Sequence, residues 1–317
     1  MKHIAFSLPT GIGADIGGFA GDIGYIVREF AKYFKVIVNP NAVNGGILSA
    51  INSNMYYVEG YAFDEFLCGN LNLKYPQKPN KIGVLFDCAI GENILNVHIN
   101  TINALKVVQG LDIMQPVMTK EPVGVEFSIQ NNISSGTILN PKTLLDGAKE
   151  LINKGAQALA IVCFFGEDAD DEEYSNGTGI DPIGGVEAII SHLVVKELKI
   201  PCAHAPAFFD IDISQKIENK KVASECISST YLPCVLQGLE FAPSFSDDGT
   251  SYKDIEYLIV PNGALGSKAV LAALENNIKI CAVKNPSKLD VGCDKLKSSD
   301  ILCFDSYIEC LDFIKKD

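Results

Sequence analysis

Along the chain, short runs of β-branched and other apolar residues alternate with stretches whose apolar positions recur every three to four residues. The short runs His3–Leu8, Lys35–Asn39, Met55–Val58, Ile82–Cys88, Val123–Ile129, Ala158–Phe164, Ile200–Ala203, Tyr257–Pro261, Ile278–Val283 and Ile301–Phe304 predict strands. The amphipathic stretches Asp22–Tyr33, Glu92–Gln109, Pro141–Lys154, Gly184–Leu198, Lys221–Gly238, Ser267–Asn276 and Ser306–Lys315 predict helices. Alternation of this kind specifies an α/β fold, a mostly parallel sheet covered by helices.

A polar stretch from Gln130 to Thr137 interrupts the alternation and marks the expected seam between two closely packed Rossmann-like halves, residues 1–133 and 134–317, with a single integrated domain as the alternative. The acidic segment 166–179 lacks apolar periodicity and reads as an exposed loop, either a lid or plain solvated chain.

Composition narrows the function. With 317 residues, 47% of them apolar and 21% charged, the chain can bury a large core and lies far from the disordered regime. A net charge of −13, with no stripe of basic residues, argues against a nucleic-acid partner. The first residues lack the long apolar region of a signal peptide, and no window nears 18 uninterrupted apolar residues, so a cytoplasmic protein with no membrane partner is expected. The 10 cysteines are scattered. Cys88, Cys163, Cys202, Cys281 and Cys303 sit in or beside apolar runs and read as small core residues of a reducing compartment. No CxxC or CxxxC pair occurs and histidines number only 4, so no zinc or other metal site is expected. Of the 26 basic residues a single one, Arg28, is arginine, so an anion must be held by backbone N–H groups, lysine or that one guanidinium.

The candidate chemistry lies at predicted strand ends, where α/β sheets place ligands. The segment from Pro9 to Asp22 carries Thr10, Gly11, Gly13, Gly17 and Gly18 between a strand and a helix. Glycines there permit close backbone approach, and a helix N-terminus adds free N–H groups, so an anion cradle is expected, with a tight-packing turn as the bland alternative. Its spacing is not GxGxxG, and no dinucleotide cofactor is implied. Asn262 and Gly263 precede a second helix, and Ser134, Ser135 and Gly136 form a polar turn suited to carboxylate or phosphate. Asn41, Asn44 and Glu59 follow further strands and either orient a polar substrate or close turns.

His204, just past a predicted strand, is the leading acid–base residue because imidazole titrates near neutral pH. Glu187, in the first turn of a helix, is its proposed partner, whereas His192 on the same helix reads as a packing residue. Cys234 becomes a candidate nucleophile if His204 approaches it, and otherwise an inert core thiol. These residues describe an enzyme acting on a small carboxylated or phosphorylated metabolite by lyase, isomerase or hydrolase chemistry. A Cys–His hydrolase or transferase, a non-catalytic metabolite sensor, and a homo-oligomeric assembly stay open.

Taken in order, Pro9–Gly13 to Asp22, Asn39–Asn41 with Asn44, Tyr57–Gly60, Ser135–Gly136, Gly184–Ala188 with His192, Ala203–His204 with Pro206, Cys234–Leu236 with Gly238, and Pro261–Gly263 resemble the domain-of-unknown-function 3326 family of bacteria and plastid-bearing organisms. The resemblance spans nearly the whole chain and implies no particular reaction. It does imply family positions for Arg28, Glu187, His192, His204 and Cys234. Two departures stand out: Gly45-Gly46 follows Asn44 where the family often has Ala-Ser-Asp, and the family's Ser-Gly-Arg is Ser135-Gly136-Thr137 here, which removes a guanidinium from a presumed site loop.

Overall fold

The structure is a computed structural model that describes residues 1–9, 23–131, 133–166, 180–285 and 289–317. Strands β1 (His3–Phe6), β2 (Lys35–Val38), β5 (Met55–Tyr57), β14 (Ile255–Asn262), β15 (Lys279–Lys284) and β16 (Ile301–Phe304) form a parallel sheet in the order β16-β15-β14-β1-β2-β5. Strands β7 (Ile82–Phe86), β8 (Val117–Met118), β11 (Ala158–Gly166) and β12 (Cys202–Phe208) form a second parallel sheet, ordered β12-β11-β7-β8. The first sheet draws strands from residues 3–57 and 255–304 and the second from 82–118 and 158–208, so each takes strands from both sides of residue 133.

The helices are α1 (Gly24–Ala31), α2 (Gly60–Leu67), α3 (Glu92–Val108), α4 (Pro141–Asn153), α5 (Gly184–Leu198), the single turn α6 (Ala223–Cys226), α7 (Leu232–Leu239), α8 (Lys268–Glu275) and α9 (Tyr307–Ile314). The apolar strand runs are buried because helices cover both faces: all five residues of β7 are inaccessible. Alternate residues of each strand feed two apolar clusters. Phe6, Val84, Ala203 and Ile259 join one, Ala5, Leu85, Cys202 and Leu258 the other, and both clusters run across both sheets. The sheets therefore share one core, and their edge strands β5 and β12 meet at a seam where Tyr57, Val58 and Glu59 line the same narrow crevice as Pro201 and Cys202.

Several elements differ from the sequence reading. The polar segment from Ser134 to Thr137 is no turn: it belongs to strand β10 (Ile133–Ile138), which pairs antiparallel with β9 (Val125–Gln130) in a hairpin. The expected helix Lys221–Gly238 is broken into α6 and α7, with Pro233 in the first turn of α7. Helix α2 and the small pairs β3 (Asn44–Gly45) with β4 (Leu48–Ser49) and β6 (Leu73–Lys74) with β13 (Ser244–Phe245) were not foreseen. Strand β12 runs on through His204 and Pro206, which an edge strand tolerates because its outer N–H groups need no partner. Cysteine usage is corrected as well. Cys163, Cys202 and Cys281 are buried as expected, but Cys88 is exposed and Cys303 forms a disulfide with Cys293.

Candidate functional site

The chain leaves β5 through Val58 and Glu59 and turns into α2. Glu59 caps that helix, its Oε2 accepting from the backbone N–H of Tyr61 at 2.9 Å and of Ala62 at 3.2 Å. Its Oε1 faces the other side of the seam, where the ring Nε2 of His192 donates at 2.9 Å and the Ser191 hydroxyl lies at 3.4 Å. Gly60 makes room for this approach, since a Cβ there would stand 3.1 Å from the imidazole nitrogen of His192. Ser191 in turn lies 2.9 Å from Nδ1 of His204, which β12 presents toward α5. Four side chains from three elements, Glu59 lying 132 residues before Ser191, thus form one hydrogen-bonded line, His192–Glu59–Ser191–His204, across the seam between the sheets.

Burial and charge act on the two histidines in opposite senses. Burial, with a small addition from the charge of His192, pushes His204 down to about 3, so its ring is neutral at physiological pH. Burial also pulls on His192, but the hydrogen bond and negative charge of Glu59 outweigh it and raise His192 above its ordinary 6.5. His192 keeps 41% of its side chain exposed, whereas Glu59 is 4% exposed. Nearby on α2, burial lifts Asp64 to about 6 against the opposing charges of Lys268 and His192. The arrangement offers a solvent-reaching imidazole drawn toward its protonated form beside a neutral one.

The remaining sequence candidates fall elsewhere. Glu187 is buried one helical turn before Ser191, and its charge helps hold the Cys163 thiol well above its usual range, after burial itself. Cys234 is 3% exposed, its thiol pushed up to about 12 by burial and directed at the Tyr231 carbonyl, 3.2 Å away. No hydrogen bond joins Cys234 to His204 among the described residues. Its polar neighbour is instead the phenol of Tyr57, to which the Asn44 amide donates at 3.1 Å.

Ser134 is buried and bonded twice, donating to the Pro182 carbonyl at 2.9 Å and accepting from Gly185 N–H at 3.0 Å, so it serves the start of α5. Ser135 and Gly136 lie in the ladder with β9, Gly136 against Val186. The Asn262 side chain accepts from Cys293 N–H at 2.9 Å, and Gly263 bridges to Val291, so that loop is fastened to residues 291–293. Asn41 donates to the Pro9 carbonyl at 2.5 Å, at the entrance to the glycine-rich segment. Arg28 is exposed on α1. Thr10, Gly11, Gly13, Gly17, Gly18 and Asp22, and the acidic run from Glu167 to Glu173, lie outside the described residues. Among the described residues, no group of three or more His, Cys, Asp or Glu is arranged to hold a metal ion.

Ser191 and the role of His192 were missed by sequence reasoning. The sequence shows Ser191 one turn after Glu187 and next to His192 on one helix, but Glu59, the partner of Ser191 and His192, is brought to them only by the fold. The line His192–Glu59–Ser191–His204 is set within residues 4–316, the whole of which matches one family model, described as a protein of unknown function. This chain belongs to the DUF3326 family. Similar to this chain is a protein from Synechococcus sp. (strain ATCC 27144 / PCC 6301) with the name "Uncharacterized lipoprotein". It is 36% identical over 296 residues, which cover 90% of this chain and 82% of the relative. No solved structure matches.

Proposed function

We propose that this member of the DUF3326 family is an acid–base enzyme for a small anionic metabolite, working at the seam with His192 as proton donor and His204 as proton acceptor. One observation carries the reading: two neighbouring histidines are displaced in opposite directions, His192 upward and His204 down to about 3. Titratable groups whose environments drive them apart are how one site holds an acid and a base at the same pH. An anionic substrate fits both. Its charge favours the protonated form of the exposed His192 and pairs with it, and it raises the proton affinity of His204 from a value too low for a base toward the working range. Lyase and isomerase chemistry needs only these two groups; nothing in the reading calls on Cys234.

The test is a thermal-shift screen of short carboxylates and phosphate monoesters against the purified chain, because selective binding to the folded state raises Tm. A stabilising ligand whose effect disappears in His192→Gln, and whose turnover disappears in His204→Gln while binding survives, supports the reading. Binding with no conversion would favour a sensor, and a ligand indifferent to both substitutions would move the site elsewhere.

The compartment is part of this question. The sequence pointed to the cytoplasm, and no described helix is long and apolar enough to cross a membrane. The Synechococcus relative carries the name of a lipoprotein, and the Cys293–Cys303 disulfide is of a kind that oxidising compartments sustain. The disulfide favours an oxidising compartment.

A further inference from the structure

We propose that Ser191 fixes His204 in the tautomer protonated on Nδ1, leaving Nε2 as a bare acceptor, and thereby reserves the position beside Nε2 for a hydroxyl or amine of the ligand. Ser191 is 1% exposed, and its Oγ has three polar neighbours: the Ala188 carbonyl at 3.2 Å, Glu59 Oε1 at 3.4 Å and His204 Nδ1 at 2.9 Å. A hydroxyl has one proton to give and lone pairs to receive with. The carbonyl and the carboxylate can only accept, so the Ser191 proton belongs to one of them. Given instead to His204, it would leave the serine oxygen facing two bare oxygens with no hydrogen between them, a costly arrangement at this burial.

The alternative satisfies everything. Nδ1–H of His204 donates to Ser191, Ser191 donates to Ala188 or Glu59, and Glu59 is already held by the Tyr61, Ala62 and His192 donors. Because His204 is neutral, its second nitrogen then carries a lone pair and no proton. Among the described residues Nε2 of His204 makes no hydrogen bond. A carboxylate or phosphate oxygen is repelled there, whereas an O–H or N–H group is welcomed. With the exposed His192, drawn toward its protonated form by Glu59, on the same hydrogen-bonded line, the pair selects a metabolite that bears a hydroxyl or amine next to its anionic group. This ligand assignment rests on the acid–base reading of the site; the tautomer does not.

Ring nitrogen spectra of the full chain labelled with 15N-histidine, at neutral pH, read the tautomer directly, with His204→Gln assigning the signal. The expected wild-type spectrum has an unprotonated Nε2 and a protonated Nδ1 at residue 204. Ser191→Ala should shift the signals toward the opposite tautomer, and Ser191→Thr should restore them. A wild-type Nε2–H form at residue 204, or a tautomer unmoved in a folded Ser191→Ala, overturns the positioning role.

Glycolate and acetate then differ as probes by one hydroxyl. Glycolate should move both the His204 Nε2 and the His192 signals, acetate the His192 signals alone. Equal movement of Nε2 by both probes, or no response to either, overturns the ligand assignment and leaves the tautomer standing. Turnover unaffected by His204→Gln would instead sink the catalytic reading and leave these spectra as they are.

Discussion

Glu59→Ala is the most informative single perturbation, because one buried carboxylate serves both the helix it caps and the histidine across the seam. Loss of the cap strands the N–H groups of Tyr61 and Ala62 and costs about 1 kcal/mol. Loss of the partner to His192 and Ser191 in a place only 4% exposed leaves further donors unmet, roughly another 2 kcal/mol. With an unfolding entropy of about 2.1 cal/mol/K per residue, a chain of 317 residues should lose about 4–5 °C in Tm.

The loss must also depend on pH, and its sign follows from His192. A histidine whose folded pKa is raised above 6.5 stabilises the fold fully below that value, and its contribution fades as pH climbs through the raised one. The variant, in which burial of His192 is opposed only by the charge of Asp64, should therefore be penalised more at pH 6 than at pH 9. Melting curves at the two pH values, with the His192 titration followed by NMR, measure both effects. A fall below about 1 °C, or one equal at both pH values, would refute the account of Glu59 as a shared acceptor.

His204 should act with the opposite sign: its ordinary pKa of 6.5 in the unfolded chain against about 3 in the folded one makes stability fall as the solution is acidified between those values. The slope approaches 1.4 kcal/mol per pH unit at most, and a urea series that finds His204→Gln and wild type equally acid-sensitive would remove His204 as the cause. Iodoacetamide should label exposed Cys88 first and Cys234 only slowly, with the other buried thiols, given a thiol 3% exposed and pushed up to about 12, as peptide mass spectrometry at increasing times would report. Rapid labelling of native Cys234 would reopen the nucleophile reading. The Cys293–Cys303 bond closes a loop with a sequence separation of 10, so breaking it should cost about 3 kcal/mol, seen as a lower Tm in reductant. Alkylation in intact cells that modifies both cysteines would mean that the bond does not form there.

The parallel strands were legible because their runs are apolar at nearly every position, as in Ile82–Phe86, and nothing but burial on two faces tolerates that. The hairpin was not, since Val125–Gln130 is exposed along most of its length and its partner is built from Ser134, Ser135, Gly136 and Thr137, residues that also make turns. Helix α2 escaped notice because it has only eight residues and is capped by a glutamate, outside the usual capping set. The sequence reading ended the strand at Ala203, before His204; at a sheet edge it runs on through Pro206. His204 and Glu59 were singled out separately from their places near strand ends. Their connection through Ser191 spans 132 residues from Glu59, and no local spacing encodes it.

The first strand of the chain lies in the interior of its sheet, with β2 on one side and β14 on the other. During synthesis β1 emerges first, yet its second neighbour, Ile255–Asn262, emerges some 250 residues later, followed by β15 and β16. Until then one side of β1 is an open edge with apolar residues on both faces, a template for pairing with the wrong chain. The fold is closed, in time as well as in space, by its last sixty residues. A chain stopped short of residue 255 would carry every side chain of the seam and still lack three of the six strands of the sheet that β5 edges.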